Sequence, residues 1–170
     1  MNSSQTKKTG MVSLIGKTNV GKSTLLNQLV EQKVSITSRK PQTTRQRLLG
    51  IKTEGSNQII YVDTPGFHQG HKRALNKFMN KTALSSIEGV DIVLFVVDAL
   101  NFSPTDEHLL NRVPTKDNQV MLVINKIDKV AKKEKLMPFV EEVIKLFPFS
   151  EVIPISALKR KNIDILEKEI

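Results

Sequence analysis

The chain has 170 residues, 39% of them hydrophobic and 25% charged, which suits one soluble-type domain with a real core and leaves little room for a second. There is no cysteine, so disulfides and thiolate metal sites are excluded, and no apolar run is long enough to cross a bilayer. A net charge of +9 favours polyanionic partners, although solvated lysines on helix surfaces would produce the same number.

Residues 1–10 read as a polar tail, since Lys7-Lys8 has no apolar stretch behind it and cannot be a secretory signal. Met11–Ile15 is a short apolar run ending at a glycine loop. Leu25, Leu26, Leu29 and Val30 then recur at helical spacing, which predicts strand, loop, helix. Residues 31–46 are polar and without period, hence a loop. Arg47–Thr53 and Gln58–Val62 flank the turn Glu54-Gly55-Ser56-Asn57, so a hairpin with one antiparallel edge strand is expected.

Residues 67–73 read as a loop and Ala74–Ile87 as a helix. Ile92–Val97, the longest apolar run, reads as a buried strand. Ser103 before Pro104 is an N-cap and first-turn pair for a helix to about Arg112, with Asp106 and Glu107 complementing its dipole. Val120–Ile124 is the next strand, and Phe139, Val140, Val143, Ile144 and Phe147 mark the helix after it. Pro154 puts Val152–Ile155 at a sheet edge. Ile163, Leu166 and Ile170 start a last helix. The alternation implies an α/β, three-layer P-loop fold: a mostly parallel six-stranded sheet with one antiparallel edge strand and helices on both faces. Ligands in such sheets bind beyond the carboxyl ends of the strands.

All the chemistry-bearing motifs fall there. Gly16-Lys17-Thr18-Asn19-Val20-Gly21-Lys22-Ser23, with Thr24 behind it, lies between a strand and a helix, the setting that makes it a phosphate-binding loop. Backbone N–H groups from Asn19 to Ser23 would ring the phosphates. Lys22 would reach the β- and γ-phosphates, and Ser23 would hold Mg²⁺. Asp63-Thr64-Pro65-Gly66 closes a strand. Asp63 alone would be an ordinary turn residue, but beside a P-loop it is a Mg²⁺ anchor, with the Gly66 N–H free to meet a γ-phosphate.

Asn125-Lys126-Ile127-Asp128 follows an apolar strand. Asp128 can accept from guanine N1–H and the exocyclic amine, a donor pair adenine lacks. Asn125 would meet N7 or brace the loop, the Lys126 stem would cover the base, and Ala157 in Ser156-Ala157-Leu158 would donate to O6. Thr43 and Thr44 are the candidates for a threonine that reaches Mg²⁺ when triphosphate is bound, with Thr44 preferred. The chemistry assembled is that of GTP and GDP.

Asn19-Val20-Gly21-Lys22-Ser23-Thr24-Leu25-Leu26-Asn27, the run Ser35-Ile36-Thr37-Ser38-Arg39-Lys40-Pro41-Gln42-Thr43-Thr44-Arg45, Tyr61-Val62-Asp63-Thr64-Pro65-Gly66 and Met79-Asn80-Lys81 resemble the Era family of bacterial ribosome-assembly GTPases. The resemblance spans roughly residues 11–170. It implies a Ras-like, Mg²⁺-dependent hydrolase converting GTP to GDP as a switch in small-subunit assembly, with Lys22, Thr44 and Gly66 nearest the reaction. It also implies the small ribosomal subunit and its 16S rRNA as partners, reached mainly through a KH domain that this sequence does not contain, so an excised N-terminal domain is expected. A monomer, cytoplasmic and peripherally associated with the inner membrane, completes the expectation. Where Ras-like switches carry a water-orienting glutamine this chain has Phe67, and slow turnover follows. Asn19 is a candidate K⁺ ligand, as in some related GTPases. The alternatives are a nucleotide-gated RNA- or ribosome-binding module in which hydrolysis is incidental, or a related ribosome- or tRNA-modification GTPase. The basic clusters Arg39-Lys40, His71-Lys72-Arg73, Lys132-Lys133 and Lys159-Arg160-Lys161 are either solvated faces or RNA contacts.

Overall fold

The computed structural model describes residues 8–31, 48–64, 81–114 and 118–170. Its strands are β1 (Thr9–Ile15), β2 (Leu48–Glu54), β3 (Asn57–Asp63), β4 (Ile92–Asp98), β5 (Gln119–Asn125) and β6 (Glu151–Pro154). They form one sheet in the order β2-β3-β1-β4-β5-β6. Every pairing is parallel except β2 with β3, the antiparallel hairpin at one edge. Register pairs Glu54 with Asn57, so Gly55-Ser56 is a two-residue turn and tighter than the four-residue signal suggested. The polar tail is shorter than expected, because Thr9 already pairs with Gln58 and the Gln58 N–H donates to the Lys8 carbonyl.

The helices are α1 (Lys22–Leu29), a helical stretch at residues 81–85 (α2), α3 (Pro104–Leu110), α4 (Leu136–Ile144) and α5 (Ile163–Glu169). Two clusters of buried side chains show how they cover the sheet. Leu25, Leu26 and Leu29 of α1 and Ile163 and Leu166 of α5 pack on Leu14, Tyr61, Leu94 and Val123. Leu109 and Leu110 of α3 and Val143 of α4 pack on Ile15, Phe95, Leu122 and Ile124. Strand β4 feeds both, Leu94 and Val96 to one face and Val93, Phe95 and Val97 to the other. That is why its sequence is continuously apolar and does not alternate.

Pro154 sits on edge strand β6, where its missing N–H costs no ladder bond; pairing resumes as the Ile155 N–H donates to Ile124. α3 stops at Leu110, short of Arg112, and Phe147 packs as part of the core although it lies beyond α4. Among the described residues, no helix is long and apolar enough to cross a membrane. Register places Leu14 beside Asp63, Ile15 beside Phe95, and Asp98 beside Asn125. The carboxyl ends of β1, β3, β4 and β5 therefore open on one crevice.

Candidate nucleotide site

The loop from β1 to α1 is shaped by its two glycines. A Cβ on Gly16 would stand 2.3 Å from the Val96 carbonyl oxygen, so the loop can leave the sheet only this close to β4 if residue 16 has no side chain. A Cβ on Gly21, at φ +99°, would stand 2.3 Å from Asn125 Nδ2. Between them Asn19 is left-handed at φ +64°, a conformation asparagine tolerates better than most residues. Its identity thus has a local backbone reason.

Lys22 opens α1 and is buried. Its ammonium donates to the carbonyls of Gly16 (3.0 Å) and Lys17 (2.8 Å). Burial pulls its pKa down to about 8, against the opposing pull of the Asp63 and Asp106 carboxylates. Ser23 Oγ, one residue on, donates to Asp63 Oδ2 at 3.1 Å. A hydroxyl and a carboxylate are hard oxygen donors, and adjacent oxygens of an octahedral Mg²⁺ shell lie about 3 Å apart, so this pair fits Mg²⁺. Thr64, beside Asp63, turns its hydroxyl the other way and donates to the Leu14 carbonyl at 2.7 Å. Its hydroxyl serves the sheet, which leaves only its backbone for the nucleotide contact expected of it. Thr18 and Thr24 are partly exposed on the loop and on α1. Thr43, Thr44, Pro65, Gly66 and Phe67 lie outside the described residues.

Asn125 ends β5 and is almost wholly buried. Its Nδ2 donates to the Val20 carbonyl (2.8 Å), while its Oδ1 accepts from the N–H groups of Lys126 (2.8 Å) and Ala157 (2.9 Å). Of the two roles open to it in sequence, the structure shows the brace. The Ala157 N–H, expected to meet purine O6, is held by Asn125. Leu158, next along, is exposed. Asp128 accepts from Ser156 Oγ, which in turn accepts from the Lys159 N–H at 3.1 Å. Ser156, fully buried, thus aims the carboxylate. Lys126, left-handed at φ +67°, stretches its stem toward the P-loop, donating to the Asn19 carbonyl and to Asp98 Oδ2 (2.7 Å).

Two groups escaped sequence reasoning. Asp98 ends β4 in line with Asn125, a placement that could have flagged it. Asp106, expected only to complement the dipole of α3, is fully buried and bridges Lys17 at 2.8 Å. Lys17 also reaches the Asn101 carbonyl (3.2 Å) and Ser103 Oγ (3.3 Å). Its ammonium therefore points at the start of α3, and only its backbone is left to face phosphate. No group of three or more His, Asp or Glu side chains suited to a metal occurs among the described residues.

Sheet order, P-loop and base-reading turn together define a P-loop GTPase domain. The chain belongs to the family described as 50S ribosome-binding GTPase, whose model matches residues 11–126. Within that family its likeness is to Era. It is 53% identical over 159 residues to GTPase Era of Glaesserella parasuis, covering 94% of this chain and 53% of that one. It is 52% identical to GTPase Era of Marinobacter nauticus, covering 95% of this chain and 53% of that one. Among solved structures, Era in complex with MgGDPNP and a fragment of 16S ribosomal RNA superposes with a TM-score of 0.89 at 43% identity, over 96% of this chain and 56% of that chain. An Aquifex aeolicus Era variant bound to GDP·AlF4⁻ gives 0.87 at 44% identity, over 95% and 56%. The chain spans about half the length of the curated relatives it matches.

Proposed function

We propose that this chain binds GTP and hydrolyses it to GDP and phosphate, and that the resulting switch serves assembly of the small ribosomal subunit through 16S rRNA. One observation carries the nucleotide half of the reading. Asn125 ties the P-loop at Val20 to the base-reading turn at Ala157, so a phosphate cradle and an aimed Asp128 carboxylate are held at a fixed separation.

Guanine is selected by Asp128, which accepts from N1–H and the exocyclic amine while Ser156 fixes its direction. The N–H groups from Asn19 to Ser23 and the start of α1 hold the phosphates. Lys22 keeps its carbonyl partners and offers its remaining N–H to β- and γ-phosphate oxygens. Ser23 and Asp63 would hold Mg²⁺, which when bound would neutralise charge developing on the phosphates. Water attacks the γ-phosphate in line, and the protein's part is positioning plus charge stabilisation. Thr44 and the Gly66 loop are proposed as the groups that register whether the γ-phosphate is there. With Phe67 in place of a water-orienting glutamine, turnover is on the order of 10⁻⁴ to 10⁻² per second. Asn19 is proposed as a K⁺ ligand, which a comparison of turnover in K⁺ and Na⁺ buffers tests.

The ribosomal half rests on likeness. The family's description names the large subunit, but the Era complex holds 16S RNA, and identity to Era is 43% or more over nearly the whole chain. The exposed clusters Lys132-Lys133 and Lys159-Arg160-Lys161 supply charge for an RNA backbone. The GTPase domain, expected at residues 11–170, is proposed to begin with β1 at Thr9 and to work in the cytoplasm. Phosphate release from GTP and ATP, each with and without Mg²⁺, tests the reading. Release from GTP alone, and only with Mg²⁺, is expected; equal release from ATP contradicts it.

A further inference from the structure

The P-loop is strapped from three sides, and one strap has no place in the nucleotide motifs. Lys126 holds the Asn19 carbonyl and Asn125 holds the Val20 carbonyl, both from the base-reading turn. The third strap comes from α3: Asp106 Oδ2 accepts from Lys17 Nζ at 2.8 Å and also from the Ser103 N–H (2.8 Å) and Ser103 Oγ (2.6 Å). Lys17 is the residue whose carbonyl receives the Lys22 ammonium at 2.8 Å. The side chain of residue 17 is thus gripped by α3 while its backbone grips the phosphate-binding lysine.

We propose that the Lys17–Asp106 pair is a positioning device for GTP hydrolysis, fixing the P-loop backbone under Lys22 from outside the four nucleotide motifs. Asp106 Oδ2 closes the capping box of α3 with Ser103, but its ion pair with Lys17 is poorly explained as a stabiliser of the fold. Asp106 is fully buried, Lys17 is only 16% exposed, and Asp106 Oδ1 has no hydrogen-bond partner among the described residues. Buried ion pairs seldom stabilise more than an apolar pair of the same size, and an orphaned carboxylate oxygen adds a cost. What such a pair supplies well is a defined distance. Phosphoryl transfer is sensitive to that distance, since displacement of a catalytic group by about 1 Å can cost 10²-fold in rate.

This inference rests on the GTPase reading above, and its test separates the two. The neutral pair Lys17→Met with Asp106→Asn removes both charges and keeps an acceptor for the Ser103 N–H, while Lys22 retains the Asp63 carboxylate. Thermal melting, KM for GTP and kcat are measured on the wild type and on this double variant at saturating Mg²⁺. The expected result is melting close to wild type, KM for GTP changed less than threefold, and kcat reduced about tenfold or more. A double variant with wild-type kcat overturns the inference. A wild-type protein that does not hydrolyse GTP overturns the reading beneath it instead.

Discussion

Asn125 Nδ2 donates to the carbonyl of Val20, 105 residues earlier in the chain, across 2.8 Å. The same side chain accepts from Lys126 and Ala157, so a single amide joins three loops that come from β1, β5 and β6. Asn125→Ala leaves the Ala157 and Lys126 N–H groups and the Val20 carbonyl without that partner, at about 1–3 kcal/mol for each group that stays buried. GDP affinity, measured with a fluorescent analogue, is expected to fall at least tenfold. Gly21→Ala should act through the same contact, because its methyl would drive the amide away.

Base reading depends on a pair. Ser156 Oγ fixes the Asp128 carboxylate. Asp128→Asn swaps an acceptor for a donor, so preference should move from guanosine to xanthosine diphosphate in a competition assay. Ser156→Ala leaves the carboxylate in place but free to turn; a loss of about threefold to tenfold in GDP affinity is expected, equivalent to one ordinary hydrogen bond.

Lys22 gives the phosphate grip a pH limit. Its pKa in the nucleotide-free protein is about 8, depressed by burial. Polyphosphate favours the charged form, so binding raises it. Below pH 8 the ammonium is already formed and GDP affinity should be flat. Above pH 8 binding must take up a proton, and affinity should fall by up to tenfold per unit. For folding the sign is opposite: a depressed lysine penalises the native state below pH 8, and this penalty fades as pH rises toward 10.5, the ordinary lysine value. Calorimetric titration from pH 7 to 9.5 checks the first statement, and Lys22→Met should abolish the slope.

Stability without function is tested at β4. Phe95 is fully buried and lies 6.4 Å, centroid to centroid, from Phe149. Phe95→Ala should cost about 3–5 kcal/mol in chemical denaturation, with guanine-over-adenine selectivity unchanged in the folded fraction.

These sites differ in how far the sequence disclosed them. Strand identities and the strand–motif order were readable because apolar runs of four to six residues end directly at Gly16, Asp63 and Asn125. The antiparallel edge was readable from the turn Glu54-Gly55-Ser56-Asn57 between Arg47–Thr53 and Gln58–Val62. What the linear pattern could not carry was direction of side chains over long separations. Asp106 looks like any first-turn acid until α3 is packed beside the P-loop. Thr64 stands next to a Mg²⁺ anchor in sequence and yet turns into the sheet. The Ala157 N–H, an expected donor to purine O6, donates to Asn125 Oδ1 at 2.9 Å, a contact 32 residues away in sequence.

The account stands on Asp128 and Lys22 acting on one molecule, the first on its purine and the second on its phosphates. Displacement of a fluorescent guanine nucleotide by unlabelled GDP and ADP measures that directly. GDP is expected to displace it at concentrations at least a thousandfold lower than ADP, in line with a site built to hydrogen-bond a group the competitor lacks. Equal displacement by the two would contradict the account.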